Sequence, residues 1–333
     1  MKSSYDLCRE SAALIDLDTE GRFLVTGATA QAALDELVSV DLSRLRPWRG
    51  ISALFLAEDA SIVAIATVFR VDGGFQVFTE AAAAERLHDH LAQALAARGA
   101  TLVDQRRSHA WIATLGPVAQ DVMISAASDD IVGLPYLSAE ANALLRGTIF
   151  RMGSTGEFEY RVLVPAEHAE AAWSALEAAG RPFGIARVGA EVLDALQLEM
   201  RSLVARDIPA GYSPIEAGLH WMVHFGKAHL AAAEALTVAR QAPRARCVSV
   251  MFDEGSPAPA ANSRLYIGER DVGVLASVQF SHTLGRSVGV AYIEPEFGWV
   301  GVSFVARTAD GQAVARAVSA PMFVTRTAKG ASA

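Results

Sequence analysis

Residues 241–250 read Gln-Ala-Pro-Arg-Ala-Arg-Cys-Val-Ser-Val, and the chain changes character across them. Pro243 breaks the preceding pattern, and helical signals almost stop after it. From Cys247 onward the sequence is a series of short apolar runs set between Gly, Asp and Ser turns. Val272-Gly273-Val274-Leu275 and Val288-Gly289-Val290-Ala291-Tyr292 are examples. Short strands at this spacing predict a small antiparallel barrel. The boundary divides the chain into residues 1–243 and 244–333. Upstream of it, strand-like and helix-like segments alternate. Strands are expected at Gly21–Val25, Ile51–Leu56, Ile62–Arg70 and, after the Gly73-Gly74 turn, Phe75–Thr79. Helical spacing appears from Ala28 to Leu37, over the alanine-rich stretch 81–97, and from Pro117 through Met123. Phe158–Val164 reads as a strand and Ala166–Ala179 as a helix closed by Gly180 and Pro182. Val188–Met200 reads as helical again. The fold class is α+β with a C-terminal barrel.

Composition bounds the function. The chain has 333 residues, longer than one compact core of ordinary size, and 52% of them are apolar, ample for folding. A formal charge of −8 argues against a nucleic-acid surface, which needs a basic stripe. Two cysteines, Cys8 and Cys247, make neither a disulfide framework nor a four-cysteine zinc site. No secretory signal is read in MKSSYDLCRESAAL, and no stretch has the length and apolarity of a membrane span. The expectation is a soluble cytoplasmic protein.

The commonest catalytic signatures are absent: no GxGxxG after a strand, no GxxxxGK[ST], no HExxH. His88 and His90 flank Asp89 in the alanine-rich helix, where positions two apart face different ways; they read as helix surface, and no metal is expected. His220, His224 and His229 are the other cluster. On a helix, His220 and His224 would share a face and could bind metal or relay protons; otherwise they are surface residues. In Thr155-Gly156-Glu157-Phe158-Glu159-Tyr160-Arg161-Val162, strand alternation would align Glu157, Glu159 and Arg161. That row is either a solvent face with an exposed ion pair or a polar cleft wall able to hydrogen-bond a flat heterocycle.

Several segments resemble the glycine-cleavage T-protein (aminomethyltransferase) superfamily, which includes the folate domains of sarcosine and dimethylglycine dehydrogenases and tetrahydrofolate-dependent O- and S-demethylases. Ser213-Pro214-Ile215-Glu216-Ala217-Gly218-Leu219 is similar to its [ST]-P-x-E-[AG]-G-L motif. Ser11–Leu17, Leu115-Gly116-Pro117-Val118-Ala119, Thr155-Gly156-Glu157 with Val164-Pro165, and Leu196–Glu199 resemble further segments in family order. So do Asp207-Ile208, Lys227, Glu234-Ala235-Leu236, and Val272-Gly273 through Ser281-His282-Thr283-Leu284-Gly285. The resemblance implies a three-lobed ring, with two interleaved α+β lobes over 1–243 and a jelly-roll-like barrel over 244–333. Tetrahydrofolate would stand in the central hole.

The functional positions are altered. The family's catalytic aspartate, second acid of GGILDDL, falls in Ser61-Ile62-Val63-Ala64-Ile65-Ala66, where neither acid remains. Its pterin-contacting glutamate lies four residues before the proline, which is Arg161 here; a two-residue slip puts Glu159 there instead. The Arg161 register needs no gap and favours an anionic ligand group, because guanidinium only donates. The Glu159 register restores ordinary pterin recognition. Gln197 stands for the arginine of LRLE. The resemblance further implies Tyr212 as a catalytic residue, near a tyrosine of the O-demethylases, and His224 is the other candidate. The ligand cavity is expected between lobes, walled by 158–162 and 197–224. The function implied is a tetrahydrofolate-dependent one-carbon transferase, foremost a demethylase of a small O-, N- or S-methylated compound. The alternatives are an enzyme of this fold that has lost folate, or a non-catalytic folate-binding partner subunit. Expected partners are a small-molecule substrate and a partner subunit or second copy, with no nucleic acid and no membrane.

Overall fold

The computed structural model describes residues 2–227, 230–257, 259–309 and 311–330. The first elements are α1 (Ser4–Glu10), β1 (Ala13–Asp16), β2 (Gly21–Thr26), α2 (Ala30–Asp35), β3 (Gly50–Leu56), β4 (Ile62–Val71), β5 (Gly74–Thr79) and α3 (Ala81–Ala96). There follow β6 (Thr101–Asp104), β7 (His109–Leu115), α4 (Ala119–Ala126), β8 (Ser138–Asn142), β9 (Gly147–Arg151), β10 (Glu159–Pro165), α5 (Ala169–Gly180), β11 (Ala186–Val188) and α6 (Val192–Met200). The rest comprises α7 (Ala233–Gln241), β12 (Arg246–Phe252), β13 (Arg264–Ile267), β14 (Arg270–Ser281), β15 (Arg286–Ile293), β16 (Ser303–Thr308), β17 (Gly311–Val318) and α8 (Arg326–Lys329).

Two compact units result: Met1–Ala53 with Ala64–Val192 and Val324–Ala333, and Leu54–Val63 with Leu193–Phe323. The strands form a five-stranded sheet in the order β3-β4-β5-β2-β6, a six-stranded sheet in the order β11-β1-β7-β10-β9-β8, and a closed barrel β12-β15-β14-β13-β16-β17. The fold is α+β with a C-terminal barrel, and among the described residues no helix is long and apolar enough to cross a membrane.

The six-stranded sheet explains where the chemistry sits. Strand periodicity gives β10 two different faces. Tyr160, Val162 and Val164 join Ile112, Leu14, Trp173 and Leu176 in one apolar core, packed with residues of α4 and α5. Each such side chain contributes about 1.5–3 kcal/mol on burial. The alternate residues Glu159 and Arg161 pair in register with Leu115 and Ala113 of β7, on the parity that also carries Trp111. Trp111 stacks on Phe78 with centroids 4.2 Å apart, and Phe150 meets both edge-on. Gly116 follows β7 with φ +140°, and a side chain there would strike the Ser11 carbonyl at 2.3 Å, so only glycine closes this turn.

One expectation is corrected. Residues 188–191 are not helical: Ala186–Val188 is a strand paired in parallel with β1, and the helix starts at Val192. Gly189 lies at the break. Of the two readings of His220 and His224, the surface one holds: both are exposed. Only His220–Met222 forms a single 3₁₀ turn, preceded by Gly218 at φ +70° and followed by extended Val223.

Candidate functional site

The first unit contains a cavity of about 260 Å³ lined by Tyr136, Arg151, Met152, Gly153, Gly156, Glu157, Phe158, Glu159 and Thr327. Its floor is the loop entering β10, where the TGE segment is fastened to the C-terminal tail. Glu157 is buried outside the strand. Its carboxylate accepts from the Arg326 N–H at 3.3 Å, the Thr327 N–H at 2.9 Å and the Thr327 hydroxyl at 2.6 Å. Arg9 lies 3.5 Å from the same carboxylate and donates to the Thr155 carbonyl. Glu157 is therefore a structural anchor rather than part of a charged strand face.

Glu159 and Arg161 do share a face, but it is not a solvent face: they are 3% and 5% exposed. A buried charge needs a partner, and Arg161 has two. Its Nε donates to Glu159 Oε1 at 2.6 Å, and Nη1 donates to Glu20 Oε2 at 2.6 Å. Trp111 Nε1 also donates to Glu20 Oε2, at 3.0 Å, and the guanidinium lies 5.8 Å from the Trp111 ring centroid. Burial alone would lower the Arg161 pKa, but the Glu159 and Glu20 carboxylates outweigh it and raise it. Burial pushes Glu20 upward against the pull of Arg161 and the Trp111 hydrogen bond. With Oε1 occupied, Glu159 Oε2 accepts from the Ser154 N–H at a long 3.4 Å, and the residue is among those lining the cavity.

Around this carboxylate stand Tyr136, whose hydroxyl donates to the Gly153 carbonyl at 2.8 Å, and Phe158, with the Arg151 guanidinium 5.2 Å from its ring. Gly153 makes the room: a Cβ there would lie 2.6 Å from both Cβ and Oε2 of Glu159. We expect Gly153→Ala to destabilise the fold by about 1–3 kcal/mol and to displace this carboxylate. Urea unfolding checks the first effect, and ligand titration the second.

The remaining candidates belong to the second unit and do not line this cavity. Gln197 is half-buried on α6. Two residues on, Glu199 is fully buried and accepts from the Ser281 hydroxyl at 2.5 Å, which ties α6 to β14. Tyr212 lies flat against Tyr292, with centroids 4.8 Å apart and planes 5° apart, and the Arg244 guanidinium is 5.1 Å from its ring. His224 is exposed. His229 lies outside the described residues. Glu216, from the SPIEAGL segment, accepts from the Ser213 N–H at 2.7 Å and from Arg244 Nε at 2.7 Å. Burial is the largest single influence on it and acts upward, but the Arg244 and Ser213 hydrogen bonds together hold it below its ordinary 4.5. Its stabilising contribution is thus present above that value and is lost as pH falls through the lower folded one. Glu216→Gln should flatten the fall in unfolding midpoint between about pH 5 and pH 3, which thermal scans across pH check. Burial pushes Cys8 up to about 12 and Cys247 up to about 11, which leaves neither thiol suited to nucleophilic work near neutrality.

Glu20, Trp111, Tyr136, Gly153 and Thr327 escaped the sequence reading. One signal was available: an arginine within an apolar strand demands a buried carboxylate, although the sequence does not say which.

Residues 1–227 match the family described as the GCVT N-terminal domain, and residues 245–324 match the glycine cleavage T-protein C-terminal barrel domain. An aminomethyltransferase of Chlorobium chlorochromatii is 31% identical over 301 residues, covering 87% of this chain and 81% of that one. One of Streptomyces coelicolor is 29% identical over 295 residues, covering 86% and 79%. The crystal structure of glycine cleavage system aminomethyltransferase T from Bartonella henselae superposes with a TM-score of 0.87 at 22% identity, covering 97% of this chain and 89% of that one. At that identity the likeness is one of fold.

Proposed function

We propose that this chain, which belongs to the glycine-cleavage T-protein family, is a tetrahydrofolate-dependent one-carbon transferase acting on a small O-, N- or S-methylated compound. The observation that carries the reading is the buried carboxylate of Glu159, a residue that lines a cavity together with Tyr136 and Phe158. The residues fit the flat ring of a pterin. A carboxylate accepts from paired N–H donors, the aromatic neighbours offer apolar surface, and the missing side chain at Gly153 leaves the approach open. A volume of about 260 Å³ lies just below the roughly 300–1,000 Å³ of pockets for drug-sized ligands, room for the ring system rather than the whole cofactor. Bound there, tetrahydrofolate would supply the acceptor for the one-carbon unit.

The chain's own part is recognition and positioning. Glu159 would hold the ring by its donors. Arg161, with Nε and Nη1 committed to two carboxylates, is poorly placed to recruit an anion, which favours the Glu159 register over the Arg161 register. The finer assignment, demethylation over glycine cleavage, rests on β4. Ala64 is buried and Ile65 half-buried where the family has its acid pair, and the Ile65 carbonyl accepts from the Thr79 hydroxyl. Neither side chain can give or take a proton. Incubation with tetrahydrofolate and a panel of methylated ethers, thioethers and amines, read as methylated folate formed, is the test. Transfer from a carrier-bound aminomethyl group alone would overturn the assignment.

A further inference from the structure

The geometry points to Glu20 and Arg161 as positioning residues: a buried clamp that fixes the orientation of the Glu159 carboxylate at the cavity, selecting a ligand group with N–H donors over an anionic one. The inference rests on the reading of the cavity given above. It is carried by three observations. Arg161 joins the two carboxylates at 2.6 Å each, through different nitrogens, so its position fixes both. Glu20 is itself fixed from another direction by the Trp111 indole N–H, so the clamp has a rigid end. And Glu159 spends only Oε1 on the clamp, while Oε2 lies beside the bare Cα of Gly153, another residue lining the cavity. Breaking either Arg161 contact would leave a carboxylate in a buried site without that counter-ion, which is costly.

Other ionisable groups face the cluster from neighbouring elements. Cys8, from α1, is pushed up to about 12 by burial. Tyr136 is raised above 10.0, by burial first and the Glu159 charge second. Arg22, near Glu20, is lowered from 12.5 by burial but faces Asp18 and Glu20. Glu157 belongs to the tail anchor and Arg9 is its partner. Glu20 and Glu159 are the two carboxylates that Arg161 bridges.

Removing the cation should therefore leave two carboxylates that resist ionising together. In Arg161→Met, tetrahydrofolate affinity measured by calorimetry should fall at least about tenfold at pH 7 and recover as pH approaches 9, whereas the wild type varies less than about threefold over that range. Glu20→Gln, which loosens the anchored end of the clamp, should weaken binding but by less than Arg161→Met, and Glu20→Gln/Arg161→Met should regain part of what Arg161→Met loses at pH 7. A ligand-free measurement separates the clamp from the cavity reading. The unfolding midpoint of Arg161→Met should drop as pH rises from about 5 to 8, since raised carboxyl pKa values give stability that is lost on ionisation, and the double variant should flatten that slope. If the wild type fails to bind tetrahydrofolate but these slopes appear, the cavity reading fails and the clamp stands. If Arg161→Met folds with a wild-type pH slope, the clamp is wrong. Should Arg161→Met not fold, Arg161→Lys decides: it should fold, keep the flat pH profile and bind more weakly through lost Nε geometry, and unchanged affinity would overturn the positioning role.

Discussion

Given an aminomethyl-loaded carrier protein and tetrahydrofolate, this protein should turn over about 10²–10⁴-fold more slowly than a family member that carries the acid pair, the range one missing general acid or orienting group commonly costs. The cause is local. β4 runs through Ile62–Val71, and its side chains at the acid positions are a methyl and a sec-butyl group. Repacking cannot supply a proton donor there. Steady-state rates for this chain and a family member that carries the acid pair, measured side by side, check the expectation. Equal rates would show that the acid lies elsewhere in this chain.

Glu157→Ala should cost about 3–5 kcal/mol of stability, the scale of breaking a buried ion pair from one side. The Arg9 and Glu157 side chains are 6% and 1% exposed, so water does not replace the lost carboxylate. The same substitution removes the acceptor for two backbone N–H groups and the hydroxyl of the tail, each loss adding desolvation cost. Because Thr327 lines the cavity, affinity should fall along with stability. Denaturant titration reads the first effect. Glu157→Gln, which keeps one acceptor oxygen, should lose less.

The fold was legible where local periodicity and turn chemistry agree. The alanine-rich helix α3, the Gly73-Gly74 hairpin and the change of period near Pro243 each depend on neighbours a few residues away. Spacing taken without its breakers does not settle a helix. His220 and His224 are four apart, but Gly218 and Gly226 bracket them and Val223 disfavours helix. The site was only half legible. The Glu159/Arg161 alternation was visible on its strand, but Glu20 lies 141 residues from Arg161 and Thr327 lies 170 from Glu157. No local pattern encodes such pairs. Whether the row of charges faced water or a partner was settled by the sheet: β10 is an interior strand with β7 and β9 on either side, so its charges had to find one another.

The most direct test of the account is calorimetric titration of the wild type and Glu159→Gln with tetrahydrofolate at neutral pH. The account predicts binding by the wild type and a loss of about 1–3 kcal/mol in Glu159→Gln, the worth of one charged hydrogen bond. Tight binding that survives Glu159→Gln unchanged would contradict it and remove β10 from the site.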